Sequence, residues 1–156
     1  MKKLFQCTIT VLFVLALFAC NNKVVFEQYQ RIPDKTWHKD SVLNFTIAVD
    51  DTVANNNFLI NVRNDVNYKY SNLWLFLQIE QPDGKTINDK FEIVLADPSG
   101  KWLGSGFSGL KTREVVYRRN VFFPVSGEYK VSIQQGMREN NLKGISDIGI
   151  RIEAVE

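Results

Sequence analysis

From Val42 to Asp50 the chain alternates strictly, with Leu43, Phe45, Ile47 and Val49 on one face. Phe58, Ile60 and Val62 repeat the pattern, with Asn61 and Arg63 opposite. Leu73, Leu75, Leu77 and Ile79 alternate with Trp74, Phe76, Gln78 and Glu80, so this run is apolar on both faces over half its length. Phe91, Ile93 and Leu95 follow, then Val115 to Phe123, then Tyr129, Val131, Ile133 and Gln135, and finally Ile148, Ile150 and Ile152. A period of two in β-branched and aromatic residues predicts half-buried strands, and no window carries a helical period. Between the runs lie Asn55-Asn56-Asn57, Pro82-Asp83-Gly84, Asp97-Pro98-Ser99-Gly100 and Val125-Ser126-Gly127. Proline presets φ and glycine accepts positive φ, so these are turns with a mechanism. The pattern predicts an all-β chain: an antiparallel β-sandwich, jelly-roll or immunoglobulin-like, of roughly eight strands.

The first residues follow another rule. Lys2 and Lys3 precede an apolar run from Leu4 to Ala19, and Leu17-Phe18-Ala19-Cys20 ends it before the polar pair Asn21-Asn22. A charged start, a short apolar stretch and a small residue at the cut make a secretory signal. The run is shorter than the ~20 apolar residues of a spanning helix. Cysteine directly after the cut is the lipoprotein form of that signal. Residues 1–19 are therefore expected to be removed, with lipid added to Cys20. Residues 20–36 are expected to form a tether, in which Val24, Val25, Phe26 and Tyr29 suit pairing at a sheet edge. Residues 37–156 are expected to form one sandwich domain.

Removing the leader changes the charge. The full chain has 19 Lys+Arg against 17 Asp+Glu, and losing Lys2 and Lys3 leaves 17 against 17. A neutral domain lacks the basic footprint of a nucleic-acid binder, so no nucleic-acid partner is expected. Cys7 leaves with the leader and lipid occupies Cys20, which leaves no thiol for a disulfide, a metal or nucleophilic catalysis.

Other candidates for chemistry are weak. His38 is the sole histidine and sits among charged neighbours, so it reads as an exposed loop residue. Gly104-Ser105-Gly106-Phe107-Ser108-Gly109 matches G-x-G-x-x-G, but a strand follows where a dinucleotide site needs a helix. Asp50, Asp51 and Asp97 read as turn residues, since calcium needs six or more oxygens from a dedicated loop. Arg113, Arg118 and Arg119 read as a solvated sheet face opposite Val115, Val116 and Val121. No catalytic residue, cofactor or metal is expected. Trp37, Trp74 and Trp102, with Tyr68 and Tyr70, are divided between core packing and an aromatic platform for sugar or peptide. Trp74, Phe76 and Trp102 are the candidates for an interaction surface. Asp40-Ser41-Val42 and Asp51-Thr52-Val53 resemble the O-glycosylation sequon of exported Bacteroidetes proteins, which makes Ser41 and Thr52 candidate acceptors.

Several segments together resemble the gliding motility lipoprotein GldH family of Bacteroidetes. They are Arg63-Asn64 with Tyr68 to Leu75; Leu95 to Gly104; Pro124 to Tyr129; and Gln135-Gly136-Met137-Arg138 through Leu142-Lys143-Gly144-Ile145 to Ile150. With Cys20 they span nearly the whole chain. The resemblance implies an envelope lipoprotein needed for gliding and associated with the machinery that exports or moves adhesins. It implies no enzyme activity.

The expectation is a non-enzymatic, lipid-anchored envelope protein that contacts other envelope, gliding or secretion proteins. The alternative is a carbohydrate-binding lipoprotein that takes a glycan on surface aromatics. Asn21 is not the aspartate of inner-membrane retention, and no acidic run follows Cys20, so the outer membrane, periplasmic side, is the expected place. Cys20→Ala should abolish palmitate incorporation and release the protein from the membrane fraction; retained label and retained membrane binding would refute the anchor.

Overall fold

The computed structural model describes residues 24–155. Among these residues the chain forms ten strands: β1 (Val24–Arg31), β2 (Thr36–His38), β3 (Leu43–Val49), β4 (Asn56–Asp65), β5 (Asn72–Glu80), β6 (Thr86–Val94), β7 (Leu110–Val121), β8 (Gly127–Gln135), β9 (Asn141–Lys143) and β10 (Ile145–Ala154). A single 3-10 turn, Pro33–Lys35, interrupts them. The leader, residues 1–19, and Cys20 lie outside the described residues.

Two four-stranded antiparallel sheets, in the orders β1-β10-β4-β7 and β3-β8-β5-β6, stack face to face. This alternation of strands between sheets is the jelly roll, one of the two sandwich types expected from the sequence. The expected count of roughly eight strands is exceeded by β2 and β9, which form a separate two-stranded ribbon. Each is three residues long, too short for its period to stand out. The ribbon places Trp37 opposite Leu142, and both are fully buried.

The core is built by the alternation. In one sheet Ile148, Ile150 and Ile152 of β10 lie directly across from Val62, Ile60 and Phe58 of β4, and all are buried. In the other, Leu75, Leu77 and Ile79 of β5 lie alongside Gln135, Ile133 and Val131 of β8. Each fully buried aliphatic side chain contributes about 1.5–3 kcal/mol, so a one-residue slip in any central strand would expose several such contributions at once.

The segment read as a tether with pairing potential carries β1, which lies against β10 with Tyr29 opposite Gly149. The Tyr29 ring covers that glycine so closely that a Cβ there would lie 2.5 Å from Tyr29 Cδ1. An aromatic ring filling the space above a strand glycine fixes the register of an edge.

At the opposite edge, β7 lies over β6. A bulge sets Phe58 opposite Arg118 and Leu59 opposite Val116, leaving Tyr117 as the extra residue. The bulge turns both Tyr117 and Arg118 towards Asp89 of β6: the Tyr117 hydroxyl donates to Asp89 Oδ2 at 2.9 Å and Arg118 Nη2 donates at 3.0 Å. The expectation that Arg118 is a purely solvated sheet residue is corrected by this clasp. Arg113 is also not on the face opposite Val115: it pairs across from buried Val62, on the same side of β7.

The hydrogen bonds from Arg118 and Tyr117 hold the Asp89 carboxyl below its usual range. The clasp is therefore complete above the ordinary aspartate value and weakens as pH falls through the lower value of the folded state. Asp89→Asn should lose less stability than the parent between about pH 6 and about pH 3, read as the urea midpoint at each pH. Parallel midpoints for the two proteins would remove Asp89 from the acid response.

Candidate functional site

The outer faces of the two sheets differ in chemistry. On the β1-β10-β4-β7 sheet, Arg151 binds Glu153 at 2.6 Å, Glu27 at 3.4 Å and Glu114 at 3.8 Å, joining side chains from three strands. The Tyr29 hydroxyl donates to Glu27 Oε1 at 3.0 Å, and burial, followed by that bond, pushes the phenol up to about 12. Leu59 and Asn61, which alternate outward on β4, are buried beneath this network. The face is closed by its own ion pairs.

The outer face of β5 and β6 is open, with Trp74 and Phe76 set among polar neighbours that include Gln78, Asn88, Lys90 and Glu92, the last directly across from Trp74. Trp74 and Phe76 alternate outward from the buried leucines, and Phe76 is 45% exposed. Lys90, directly across from Phe76 on β6, holds its ammonium 4.7 Å from the Trp74 ring centroid and 5.8 Å from that of Phe76. A cation over an aromatic face gives a surface that takes both apolar and anionic contacts. Phe76 stands between two hollows. One, about 500 Å³, is lined by Tyr70, Trp74, Lys90, Gly136, Met137 and Arg138, among others. The other, about 380 Å³, runs along Val42, Phe76, Gln78 and Gln134.

The wall of the larger hollow is the loop Gly136–Asn140 after β8. Gly136 fits because it has no side chain: a Cβ would lie 3.2 Å from Phe76 Cε2 and 3.3 Å from Trp74 Cβ. The loop is clamped by Gln135, a buried amide that donates to the Glu139 carbonyl at 2.7 Å and accepts the Met137 N–H at 2.8 Å. Glu139 in turn accepts the Tyr70 hydroxyl at 2.6 Å, which raises the Tyr70 pKa. The Gln-Gly-Met-Arg run thus builds one side of the groove.

The other sequence candidates are dispersed. Trp37 is core, its Nε1–H donating to the Ser41 carbonyl at 2.9 Å, and Tyr68 is also buried. Trp102 is half-buried against the core and pairs with Ala96, away from the lining of either hollow. Of the five aromatics weighed as a platform, Tyr70 and Trp74 line the larger hollow, and buried Tyr68 packs edge-on against Tyr70 with ring centroids 5.6 Å apart. Asp51 Oδ1 accepts the N–H groups of Val53 and Ala54 at 2.8 and 3.0 Å. Asp97 Oδ1 does the same for Ser99 and Lys101 at 2.9 and 3.0 Å. Both are turn caps. The glycine-rich stretch is a loop in which Gly104 packs on the Thr112 carbonyl, 2.7 Å from where a Cβ would stand. His38 and Ser41 are exposed, and Thr52 is half-buried. Lys90 and Met137 were missed from sequence. Lys90 lies on the polar face of its strand, and its meeting with Trp74 depends on the β5–β6 register.

A family model described as GldH lipoprotein matches residues 24–152. A gliding motility lipoprotein GldH homolog of Christiangramia forsetii is 41% identical over 160 residues, covering 98% of each chain. The gliding motility lipoprotein GldH of Flavobacterium johnsoniae is 39% identical over 152 residues, covering 93% of this chain and 94% of its own. Among solved structures, a carbohydrate-binding module specific for non-crystalline cellulose aligns over 83% of this chain and 73% of its own, with 8% identity and a TM-score of 0.46. At that distance it carries no functional information.

Gln135→Ala should cost about 2–4 kcal/mol, because two hydrogen bonds are lost in a buried setting, and should speed amide exchange selectively at Met137–Glu139. Unchanged exchange in this loop would show that the clamp is dispensable.

Proposed function

The chain belongs to the GldH lipoprotein family, and on that premise we propose that it is a non-enzymatic component of a gliding apparatus, held at the envelope by lipid on Cys20. The full-length match to relatives named gliding motility lipoproteins carries this reading. Non-covalent action is supported by the employment of its carboxylates: Asp51 and Asp97 cap turns, and Asp89 clasps two sheet edges. Asn21 after the lipidated cysteine favours the outer membrane, and the lack of an acidic run favours its periplasmic side.

The proposed partner surface is the open face at Trp74, Phe76 and Lys90. The ion pairs of the opposite sheet would have to break before a partner could use them, whereas Phe76 gains burial without losing any contact. A protein of the motility or adhesin-export machinery fits this face if it brings an apolar patch flanked by groups of both charges, one for Lys90 and one for Glu92.

The test uses Flavobacterium johnsoniae cells lacking their own relative. The chain should restore colony spreading, and Phe76→Leu should retain it. Phe76→Asp should remain in the membrane fraction, weaken partner capture by ~10-fold or more and abolish spreading. Normal spreading with Phe76→Asp would remove this face from the function.

A further inference from the structure

The end of the sandwich at which β1 begins carries a rim of exposed apolar side chains. Register places Val24 beside Glu153, Ala154 beside Asn56, and Asn56 beside Val121, so the start of β1, the end of β10, the loop before β4 and the end of β7 share one end. There Val25 is 60% exposed, Val53 84%, Phe122 59% and Val155 37%. Their positions are built. The Asp51 carboxylate caps the turn that lifts Val53 outward. The Val155 N–H donates to the Asn55 carbonyl at 2.8 Å. Phe123 packs edge-on against Tyr129, with ring centroids 5.0 Å apart, while its neighbour Phe122 points to solvent.

We propose that this rim is a second membrane-contact site, seated on the phospholipid surface that holds the lipid of Cys20. The proposal rests on the lipidation of Cys20. Val24 is already paired in the sheet, and Cys20 lies four positions before it. A chain of that length spans at most ~14 Å fully extended. The anchor thus confines this end to the membrane surface, within reach of side chains that insert about 5–10 Å into the headgroup boundary. The same end carries charges of both signs: Asp50 and Asp51 follow β3, Asp83 and Lys85 sit in the β5–β6 turn whose Pro82 packs on Gly127, and Arg119 lies near the end of β7. The mixed charge makes contact depend on apolar insertion, so neutral lipid suffices and added salt has little effect. Thr52, half-buried next to Val53, would lie at the same interface, so a glycan on Thr52 and a seated rim exclude each other.

The test uses the mature lipoprotein in phosphatidylcholine vesicles, with an environment-sensitive dye on Val53→Cys, Phe122→Cys or Phe107→Cys. Phe107, 93% exposed, lies at the opposite end, where Gly109 accepts the Val66 N–H. Iodide quenching of the Val53 and Phe122 labels should fall about threefold on reconstitution, at low and high salt alike, while the Phe107 label is unchanged. Protein that floats with the vesicles but leaves all three labels equally quenched overturns the rim and leaves the anchor standing. Protein that fails to float overturns both. Protection that rises with protein density at fixed lipid assigns the rim to a second copy, and a glycan on Thr52 of the native protein also overturns the proposal.

Discussion

Ile60, Val62, Ile148 and Ile150 on one sheet, and Leu75, Leu77, Val131 and Ile133 on the other, are dry because each sheet covers the other. Neither sheet has another way to bury these side chains, so the sandwich forms as a unit. The same constraint sorts the remaining residues. A strand that gives alternate positions to the core leaves the intervening ones for the outer faces, and the connections for the two ends. Among the described residues, side chains outside the core are therefore confined to the two outer faces, the edge strands and the two ends of the sandwich.

These surfaces are not equivalent. Arg151 ties Glu27, Glu114 and Glu153 into a network that satisfies its own charges and covers Asn61 and Leu59. The β7–β6 edge is shut by Asp89 with Tyr117 and Arg118. The β5–β6 face presents Trp74, Phe76 and Lys90 beside a clamped loop. Phe76 and the Trp74 ring give that face exposed apolar area, with Lys90 and Glu92 beside them, and burying them would break no ion pair of the kind that closes the opposite sheet.

Much of the architecture was legible in the sequence because burial on one face imposes a period of two, and that period is plain in β3, β4, β5, β8 and β10. The ribbon of β2 and β9 was not, since three residues carry no period; a buried Trp37 in a polar stretch was its one trace. The bulge at Tyr117 was hidden for a related reason. Strict alternation through Val115–Val121 would set Arg118 on the face of Val116 and not opposite it as expected; the bulge where β4 meets β7 is what separates the two. Phe76 was a candidate because it shares a face with Trp74 opposite the leucines, but a run apolar on both faces did not say whether that face was core or surface. Lys90, Gly136 and Gln135 matter through cross-strand register and loop geometry, which a linear pattern does not contain. The separation of Trp37, Trp74 and Trp102 was likewise set by the fold, because the three lie on unrelated elements.

Membership of the GldH lipoprotein family joins this geometry to a cell envelope. The account turns on Cys20, because lipid on that residue would set which end of the sandwich meets the membrane and would leave the Trp74–Phe76 face beside it. The most direct measurement is mass spectrometry of the N-terminal peptide of the mature protein from a native envelope. The account predicts a chain beginning at Cys20, with the leader absent and acyl mass on that cysteine. A peptide running unbroken through Ala19 and Cys20, or an unmodified cysteine after the cut, would contradict it.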